Sequence, residues 1–319
     1  MKFGIIGTNF VSSWFVEAAR QTNGAVVPHG VFSRTIEGGA AFAQQHGLAA
    51  SYSDLDGMFE DVDAVYVASP TSAHAGQALA AIARGRHVLL EKTMAENAEI
   101  TRRVFAAAED KGVVAMEATR SLHAPHHELI RQALQRLGKL RYAHLENLQY
   151  SSRYDRHRAG EAPNAFDPGL GNSAVADIGV YCLEPALDWF GIPHSTSGTS
   201  VRLENGFEAL GSILLDYGSM LVDIVYSKVI SSVTPSTIVG EGGALTIDNL
   251  AQPSHIELIP RIGTREVLLD APHPAPVEGM HFELEEFARQ VQMGGTEPRW
   301  RDITIAAREI MDEHLARSM

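Results

Sequence analysis

A lysine at the end of a buried strand is the first residue of this sequence that could take part in chemistry. Lys92 follows Glu91 at the end of the apolar run Val88-Leu89-Leu90, which is typical of a strand buried on both faces. Open α/β sheets bind their ligands at the carboxyl ends of their strands, where an ammonium group can anchor or polarise a substrate. The alternative is a solvated lysine just past the strand end.

A second pair of chemically competent side chains lies further along the chain. Asp177 and Tyr181 stand four residues apart, so on a helix they share one face. The neighbours of Asp177 are apolar, which argues against a merely solvated acid. Pro185 removes the helical hydrogen bond to the Tyr181 carbonyl, and we therefore expect a kink or a bound water near this face. A structural role for both side chains is the alternative.

The segment after the first predicted strand matches a phosphate-binding turn in part. A dinucleotide-binding fold carries G-x-G-x-x-G at this place, and only Gly7 of the three glycines is kept. Asn9 replaces the second glycine and tolerates left-handed backbone better than most residues, and the small Ser12 still allows close helix packing. An ordinary strand-to-helix turn is the alternative. We predict that four residues of this turn contact a cofactor: Gly7, Thr8, Asn9 and Phe10.

The end of the second predicted strand bears on the choice of cofactor. NAD-binding folds usually place an acid there, about 20 residues beyond the glycine turn, to bind the ribose 2′-hydroxyl. This sequence has Ser33 and Arg34 instead, and no carboxylate. A hydroxyl and a planar guanidinium suit a 2′-phosphate, and the guanidinium can also stack over adenine. We predict that both residues bind NADP(H); a solvated strand-end arginine is the alternative.

Composition excludes several classes of protein. The formal net charge of −13 over 319 residues argues against a nucleic-acid or anionic-membrane binder, because such proteins need a basic surface. Cys182 is the single cysteine, so neither an internal disulfide nor a thiolate zinc site is expected. His123, His126 and His127 are predicted to be loop or helix-surface residues and not metal ligands. With no signal-like or spanning apolar run, we expect a cytoplasmic protein without a membrane partner.

Alternating short apolar runs and alanine-rich amphipathic stretches predict βαβ units and a parallel sheet over residues 1–121. We predict strands near 2–7, 25–33, 62–68, 86–91 and 113–117, and helices near 11–22, 35–46, 73–84 and 96–110. The fold class is therefore α/β, with an N-terminal doubly wound parallel sheet that binds a dinucleotide.

Residues 122–319 show a different pattern of apolar runs and turn residues, which predicts a second, α+β domain with a large and mostly antiparallel open sheet. A helical piece near 124–136 precedes strand-like runs such as 142–148 and 212–215. The segments 204–206 and 216–218 supply turn residues. We interpret the Pro-rich segment 271–276 as a surface loop and not a domain linker, because a helical pattern follows over 280–292. The C-terminal helix could pack back on the first domain.

Four separate blocks resemble the glucose-fructose oxidoreductase and inositol dehydrogenase family, called Gfo/Idh/MocA. The segment 68–74 is similar to the family's loop after the fourth strand, Glu91-Lys92 to its E-K-P signature, and 116–120 to its sixth-strand block. The segment Asp177-Ile178-Gly179-Val180-Tyr181 resembles the D-x-G-x-[HY] catalytic helix, in the tyrosine form of glucose-fructose oxidoreductase and dimeric dihydrodiol dehydrogenase. The resemblance covers essentially the whole chain.

This resemblance implies a Rossmann domain, a substrate-binding and oligomerisation domain with an open sheet, and a nicotinamide cofactor between them. Lys92, Asp177 and Tyr181 would be catalytic. The sheet face would build a homodimer or homotetramer. Three departures stand out, namely Thr93 in place of proline, Asn9 in place of glycine, and Asn172-Ser173 in place of Gly-Gly. Further cofactor contacts would come from six residues: Ser69, Pro70, Thr71, His74, Glu91 and Lys92.

The expected function is that of an oxidoreductase that prefers NADP(H), with NAD(H) possible. It would transfer a hydride between the nicotinamide and a carbonyl or hydroxyl carbon of a sugar, polyol or dihydrodiol, with no metal. A catalytically silent NADP(H)-binding sensor or structural protein is the alternative, because fold does not imply function. Arg120, Tyr154 and Asn164 are candidates for substrate contacts.

Overall fold

The computed structural model describes residues 1–317, which form two compact units. Unit 1 comprises Met1–His123 and Pro276–Ile305, and unit 2 comprises Ala124–Ala275 and the chain from Ala306 onward. The chain therefore passes from one unit to the other inside the Pro-rich segment 271–276. That segment is largely exposed, as a surface loop would be, but its interpretation as something other than a linker was wrong.

The elements are numbered in chain order. The strands are β1 Lys2–Ile6, β2 Val27–Phe32, β3 Ala50–Tyr52, β4 Ala64–Val67, β5 His87–Glu91, β6 Ala115–Ala118, β7 Leu140–Leu148, β8 Ser195–Arg202, β9 Glu208–Asp216, β10 Leu221–Ser227, β11 Ser236–Gly240, β12 Gly243–Ile247, β13 His255–Pro260 and β14 Glu266–Asp270. The α-helices are α1 Phe10–Ala19, α2 Ile36–His46, α3 Leu55–Asp61, α4 Thr71–Ala83, α5 Ala98–Lys111, α6 Arg120–His123, α7 Pro125–Leu134, α8 Tyr154–Arg158, α9 Val180–Phe190, α10 Met280–Met293 and α11 Pro298–Arg317. Short 3₁₀ turns span Gln135–Leu137, Asn164–Phe166 and Pro168–Leu170, and Val175–Gly179 is π-helical.

Unit 1 contains a six-stranded parallel sheet in the order β3-β2-β1-β4-β5-β6. The strand order reverses beside β1, so the turns after β1 and β4 border the crevice where doubly wound folds bind ligands. This confirms the predicted fold class. The sequence analysis missed β3 and α3, of three and seven residues, because elements this short show no clear hydrophobic period.

Both faces of this sheet are buried, which explains the continuous apolar runs of its strands. Phe3 of β1 and Leu89 of β5 pack on one face with Phe287 of α10. Ile6 and Leu90 belong to the core on the opposite face, together with residues of α4 and α5. Helix α10 therefore completes the core of unit 1, although it lies far along the chain.

Unit 2 is built on an eight-stranded sheet in the order β14-β13-β12-β11-β7-β10-β9-β8. The turns predicted at 204–206 and 216–218 connect antiparallel neighbours, as expected. The pair β7 and β10 is parallel, which departs from the expected antiparallel pairing. One face of β10 packs on the π-helical segment, and the other face carries the half-exposed Asp223 and Val225.

Within residues 1–317, no helix has both the length and the apolar character that a membrane crossing requires.

Candidate functional site

The turn after β1 is built around a glycine that no other residue could replace without strain. Gly7 has a φ of +113°, and a Cβ there would lie 2.9 Å from the carbonyl oxygen of Ala68. The Gly7 N–H also donates to the Phe32 carbonyl at 3.1 Å. The missing side chain therefore leaves the turn close to the ends of both neighbouring strands, at the position where a pyrophosphate binds in such folds.

Asn9 begins α1 and serves as its N-cap. Its Oδ1 accepts the backbone N–H groups of Val11 and Ser12 at 3.0 and 3.1 Å, and its Nδ2 donates to the Ala68 carbonyl at 2.6 Å. The φ of Asn9 is −87°, so Asn9 does not use the left-handed geometry that asparagine tolerates. Asn9 instead replaces the glycine by tying the helix start to the end of β4.

The N-terminal end of α1 suits an anion. Helix N-termini present N–H groups and a positive dipole end to phosphates. Thr8 and the half-exposed ring of Phe10 flank Asn9 at this end, and Phe10 packs edge-on against Trp14 at 4.8 Å. Ser12 is fully buried behind them, as its small size predicted.

Ser33 and Arg34 lie directly after β2, where the strand meets the N-terminus of α2. The Ser33 hydroxyl accepts the Thr35 N–H at 3.4 Å, and Thr35 caps α2 through Gly38. Arg34 is exposed and forms no ion pair with any residue in the described part of the chain. Its guanidinium is therefore available to an external anion.

The loop after β4 contains the next predicted contacts. Pro70 stands at the N-cap of α4, and Thr71 is the first residue of that helix. The Ser69 hydroxyl donates to Gln77 at 2.7 Å. These backbone and side-chain positions place Ser69, Pro70 and Thr71 at the same sheet edge as Gly7, since Gly7 lies beside the end of β4.

His74 is buried and bridges two loops. Its Nε2 lies 2.8 Å from the Ser69 carbonyl oxygen and its Nδ1 lies 3.1 Å from the Thr93 carbonyl oxygen. Burial lowers the pKa of His74, and the nearby Lys92 ammonium acts in the same direction. His74 therefore joins the loop after β4 to the loop after β5 through the backbone of Ser69 and Thr93.

Glu91 and Lys92 end β5 at the same edge of the sheet. The Tyr66 hydroxyl donates to Glu91, and burial raises the pKa of the Glu91 carboxyl despite that bond. Lys92 is half-buried, and the Lys92–Thr93 peptide bond is cis. The placement of Lys92 at a strand end, as predicted, is thus observed, with the half-buried acid Glu91 beside it.

Arg120 lies near this pair, at the start of α6. Its guanidinium donates to the Pro276 carbonyl, and its charge lowers the pKa of Glu91 and of Glu283 on α10. Burial nevertheless raises the pKa of Glu283 well above its ordinary range, and the neighbouring Glu91 raises it further. Glu283 is an ionisable group that the sequence analysis missed, because only tertiary packing brings α10 beside β5.

Asp177 and Tyr181 occupy a helical segment of unit 2 that is otherwise buried. They are the two residues of 173–187 whose side chains are not buried, and the structure describes every residue of that range. Asp177 lies in the π-helical turn Val175–Gly179 and Tyr181 in the first turn of α9, which contains Pro185. The irregularity of the helix therefore lies before Tyr181, whereas the kink had been expected from Pro185.

Packing against the sheet explains the glycine of the Asp177-Ile178-Gly179 sequence. A Cβ at Gly179 would lie 3.1 Å from the ring of Tyr226 and 3.1 Å from Val175. The segment therefore lies close against β10, and any larger residue would displace it. Glu208 of β9 supports the same turn by accepting the Val175 N–H at 2.9 Å.

The residues before this turn form a structured loop. Asn172 donates to the carbonyls of Asn164 and Asp167 at 2.7 and 3.2 Å. The Ser173 hydroxyl accepts the Ala176 N–H at 3.2 Å, and the Ser173 carbonyl accepts the Asp177 N–H at 3.0 Å. Asn172 and Ser173 thus have local bonding partners that glycines would lack.

Lys228, which the sequence did not single out, lies beside the candidate site residue Asp177. Its Nζ lies 2.7 Å from Oδ2 of Asp177, and its side chain is only 4% exposed against 39% for Asp177. In sequence Lys228 is an isolated lysine after an apolar strand, which is the same signal that pointed to Lys92.

The two remaining substrate candidates lie in unit 2. The Tyr154 ring is half-buried and stacks on Phe166 at 5.5 Å, so much of its surface is used in packing. Asn164 is exposed, and its carbonyl accepts the Asn172 amide.

Among the described residues, no group of three or more histidine, cysteine, aspartate or glutamate side chains could hold a metal ion. His127 was wrongly predicted to be a surface residue. It is buried, and its Nε2 lies 2.6 Å from Asp188.

Comparison with known proteins identifies the family. The model of the GFO_IDH_MocA family, described as an oxidoreductase family with an NAD-binding Rossmann fold, matches residues 1–119. The chain is 36% identical over 294 residues to scyllo-inositol 2-dehydrogenase (NADP(+)) IolU of Bacillus subtilis, covering 92% of this chain and 88% of that protein. This chain therefore belongs to the Gfo/Idh/MocA family of NAD(P)-dependent oxidoreductases, and the resemblance noted in the sequence is confirmed.

Two more distant proteins are similar to this chain over nearly its whole length. Trans-1,2-dihydrobenzene-1,2-diol dehydrogenase of Xenopus laevis is 28% identical over 313 residues, covering 92% of this chain and 90% of that protein. The crystal structure of KijD10, a 3-ketoreductase from Actinomadura kijaniata in complex with NADP and TDP-benzene, has a TM-score of 0.86 at 20% identity, covering 100% of this chain and 98% of that one. This structural likeness shows the fold.

Proposed function

We propose that this enzyme uses NADP(H) to move a hydride to or from a CH–OH carbon of a polyol, sugar or dihydrodiol. The observation that carries the proposal is the exposure of Asp177 and Tyr181 alone in the otherwise buried range 173–187. A carboxylate and a phenol that are both accessible on one helical segment can bind a hydroxyl-bearing substrate and exchange its proton. The names of the inositol and dihydrodiol dehydrogenases similar to this chain support the same substrate class.

The residues of unit 1 fit a dinucleotide. The strained Gly7 turn, in which a Cβ would meet Ala68, leaves room for a pyrophosphate at the N-terminus of α1. Ser33 and Arg34 would hold the adenosine end, and Ser69, Pro70 and Thr71 would line its path beside Gly7. When bound, the cofactor supplies or accepts the hydride.

The protein side chains would orient the substrate and handle the proton. Tyr181 exchanges the proton of the substrate oxygen, and the Lys92 ammonium stabilises negative charge that develops on that oxygen. Asp177 orients the substrate hydroxyl. Glu91 supports Lys92 from the neighbouring position, and Arg120, Tyr154 and Asn164 would contact the rest of the substrate.

The test is turnover of NADP⁺ and NADPH with a panel of inositols, dihydrodiols, sugars and their keto forms. Tyr181→Phe and Lys92→Ala should each lower kcat by about 10² or more, because these groups act mainly in the transition state. NADPH should still bind to both variants. Tyr142→Phe, which changes an exposed tyrosine on β7, is the matched control and should retain parent rates.

Two outcomes would contradict the proposal. An enzyme that binds NADPH tightly but turns over no member of the panel would be a silent NADP(H)-binding protein. Near-parent turnover in Lys92→Ala would remove Lys92 from the catalytic set and leave it as a cofactor contact only.

We also propose a cytoplasmic location. The single Cys182 is buried, and burial raises the pKa of its thiol, so the protein neither needs nor offers a disulfide. This suits a reducing compartment, where nicotinamide cofactors also circulate. Fractionation of cells that express the full chain tests the location, and recovery with exported proteins would contradict it.

A further inference from the structure

Lys228 is a buried cation with a specific surrounding. It lies directly after β10, and two backbone bonds fix its main chain: its N–H donates to Ala209 at 2.9 Å, and its carbonyl accepts the Ser151 N–H at 3.0 Å. The side chain enters an apolar cluster that contains Phe166, Phe207 and Ala209. Its position is therefore set by the sheet and not by a flexible loop.

The ammonium group has four neighbours in this cluster. Its Nζ donates to the Ala165 carbonyl at 2.9 Å and pairs with Oδ2 of Asp177 at 2.7 Å. It also lies 5.0 Å from the ring centre of Phe166 and 5.4 Å from that of Phe207, within the range of a cation–π interaction. A fully buried lysine is costly unless it is paired and hydrogen-bonded, and here Asp177 is the charged partner.

The two side chains of this ion pair differ in their exposure to solvent, and this difference bears on what the pair does. Lys228 is 4% exposed, whereas Asp177 is 39% exposed. An ordinary structural ion pair in a core would bury both groups to a similar extent. Here the lysine approaches the acid from inside the protein, so that one carboxylate oxygen is held while the group as a whole faces outward.

We propose that Lys228 is a positioning residue for the reaction: through its salt bridge it keeps Asp177 ionised and fixes the orientation of its carboxylate toward the substrate. This inference rests on the proposed function, in which Asp177 orients the substrate hydroxyl. It adds a residue that follows β10 to the Asp177 and Tyr181 pair of the helical segment. It also gives Asp177, which lies in an apolar helical segment, a charged partner.

The elements that pack against this turn contain further ionisable groups. They are Arg141, Tyr142, His144 and Glu146 of β7, Glu208 and Asp216 of β9, Asp223 and Tyr226 of β10, and Tyr181, Cys182, Glu184 and Asp188 of α9. The two basic groups among them have other acidic neighbours: Arg141 pairs with Glu241, and His144 lies 3.2 Å from both Glu146 and Asp223. Within the described part of unit 2, Lys228 is the cation whose ion pair with Asp177 is observed.

The first measurement is independent of catalysis. Carbon-13 NMR of protein labelled at aspartate carboxyl groups follows the titration of Asp177, assigned with Asp177→Asn. In Lys228→Met the titration midpoint of Asp177 should rise by about 1 to 3 pH units, as expected when a neighbouring cation is lost. Lys228→Gln, which keeps a donor for the Ala165 carbonyl, should show the same rise in the Asp177 midpoint. If only one of the two variants folds, that variant is enough for the test. Aspartate labelling leaves the Glu208 titration out of the spectrum.

The second measurement is the pH profile of kcat/KM. The acid limb of the profile should move up in pH in both Lys228 variants, and kcat should fall about tenfold to a hundredfold while NADPH affinity is unchanged. Lys228→Met combined with Asp177→Asn should be no slower than Asp177→Asn alone, because both changes remove the same interaction. Lys139→Met, which removes an exposed lysine of unit 2, is the control and should change neither readout.

The outcomes separate this inference from the proposed function. An unchanged Asp177 midpoint in a folded Lys228 variant overturns the positioning role, whatever the activity. If the Asp177 midpoint rises in the Lys228 variants but the parent protein turns over no substrate, the electrostatic link is supported and only the proposed function is contradicted. A raised midpoint with parent pH profile and parent kcat shows that the salt bridge exists but does not serve the reaction, which also overturns the inference.

Discussion

At the scale of single residues, the cofactor half of the site shows how a degraded motif can keep its geometry. Two of the three glycines of the dinucleotide turn are replaced, yet the one that has positive φ, Gly7, is retained. Asn9 uses both ends of its amide, capping α1 and holding Ala68. The chain has therefore exchanged backbone freedom for side-chain hydrogen bonds at the second position.

Arg34 is the residue on which cofactor preference should depend. It is exposed after β2 without an ion-pair partner among the described residues, and Ser33 stands where an acid would repel a phosphate. A charge-assisted contact contributes about 1.5 to 3 kcal/mol, so Arg34→Ala should weaken NADPH about ten- to a hundredfold and leave NADH nearly unchanged.

Fluorescence titration with each cofactor measures this preference. Arg103→Ala, which removes an exposed arginine from α5, is the matched control. Equal dissociation constants for NADPH and NADH in the parent, unaffected by Arg34→Ala, would show that Arg34 does not recognise the 2′-phosphate.

At the scale of elements, α11 is fastened to the sheet of unit 2 by a buried histidine. The Tyr226 hydroxyl and Nε2 of His314 are hydrogen-bonded to each other at 2.7 Å. Burial, together with the charges of Arg317 and Arg202, lowers the pKa of His314 from 6.5 to about 4. The same tyrosine contacts Gly179, so β10 links the end of α11 to the segment that carries Asp177.

Because His314 is buried with a lowered pKa, we predict that the free energy of unfolding falls at acid pH. Because the folded-state pKa lies below the unfolded value, the stabilisation is complete above about pH 6.5 and is lost as the pH falls toward 4. The lowered pKa corresponds to about 2 to 3 kcal/mol of unfolding free energy over that range.

Urea unfolding at a series of pH values tests this dependence. His314→Gln keeps a hydrogen-bonding side chain beside Tyr226 but does not titrate, and its stability should decline less between pH 6.5 and 4 than that of the parent. His273→Gln, a change in an exposed histidine, should retain the parent slope. Identical slopes for His314→Gln and the parent would mean that His314 is not buried neutral in solution.

At the scale of the whole molecule, the open face of the eight-stranded sheet is the surface that bears on assembly. Its central strands present half-exposed apolar residues, Leu214 and Val225, beside exposed Tyr142. Among them His144 lies 3.2 Å from both Asp223 and Glu146. Such a mixed face of paired polar groups and apolar side chains is typical of an interface between identical subunits.

We propose that two or four copies of the chain associate through this face. Leu214→Arg places a charge at its centre, and light scattering should then show a shift from dimer or tetramer to monomer. Ile192→Arg, in the exposed connection between α9 and β8, is the control and should not change the mass. A parent protein that is monomeric at micromolar concentration would refute the proposal.

The sequence by itself determined most of what depends on local pattern. Strand ends, helix starts and the glycine turn follow from hydrophobic period and from residues with special backbone preferences, so Gly7 and Lys92 could be placed correctly at sheet edges. A shared face for Asp177 and Tyr181 was also predictable, because residues four apart on a helical segment lie on the same side.

Tertiary structure alone decided the contacts between residues far apart in the chain. No local pattern joins Lys228 to Asp177, places α10 in the core of unit 1, or buries His127 against Asp188, because each depends on which elements pack together. The same holds for the close approach of Gly179, in the π-helical turn, to Tyr226 of β10. The candidate site residues could thus be selected from the sequence, whereas their charged partners, such as Lys228 for Asp177, could be found only from tertiary packing.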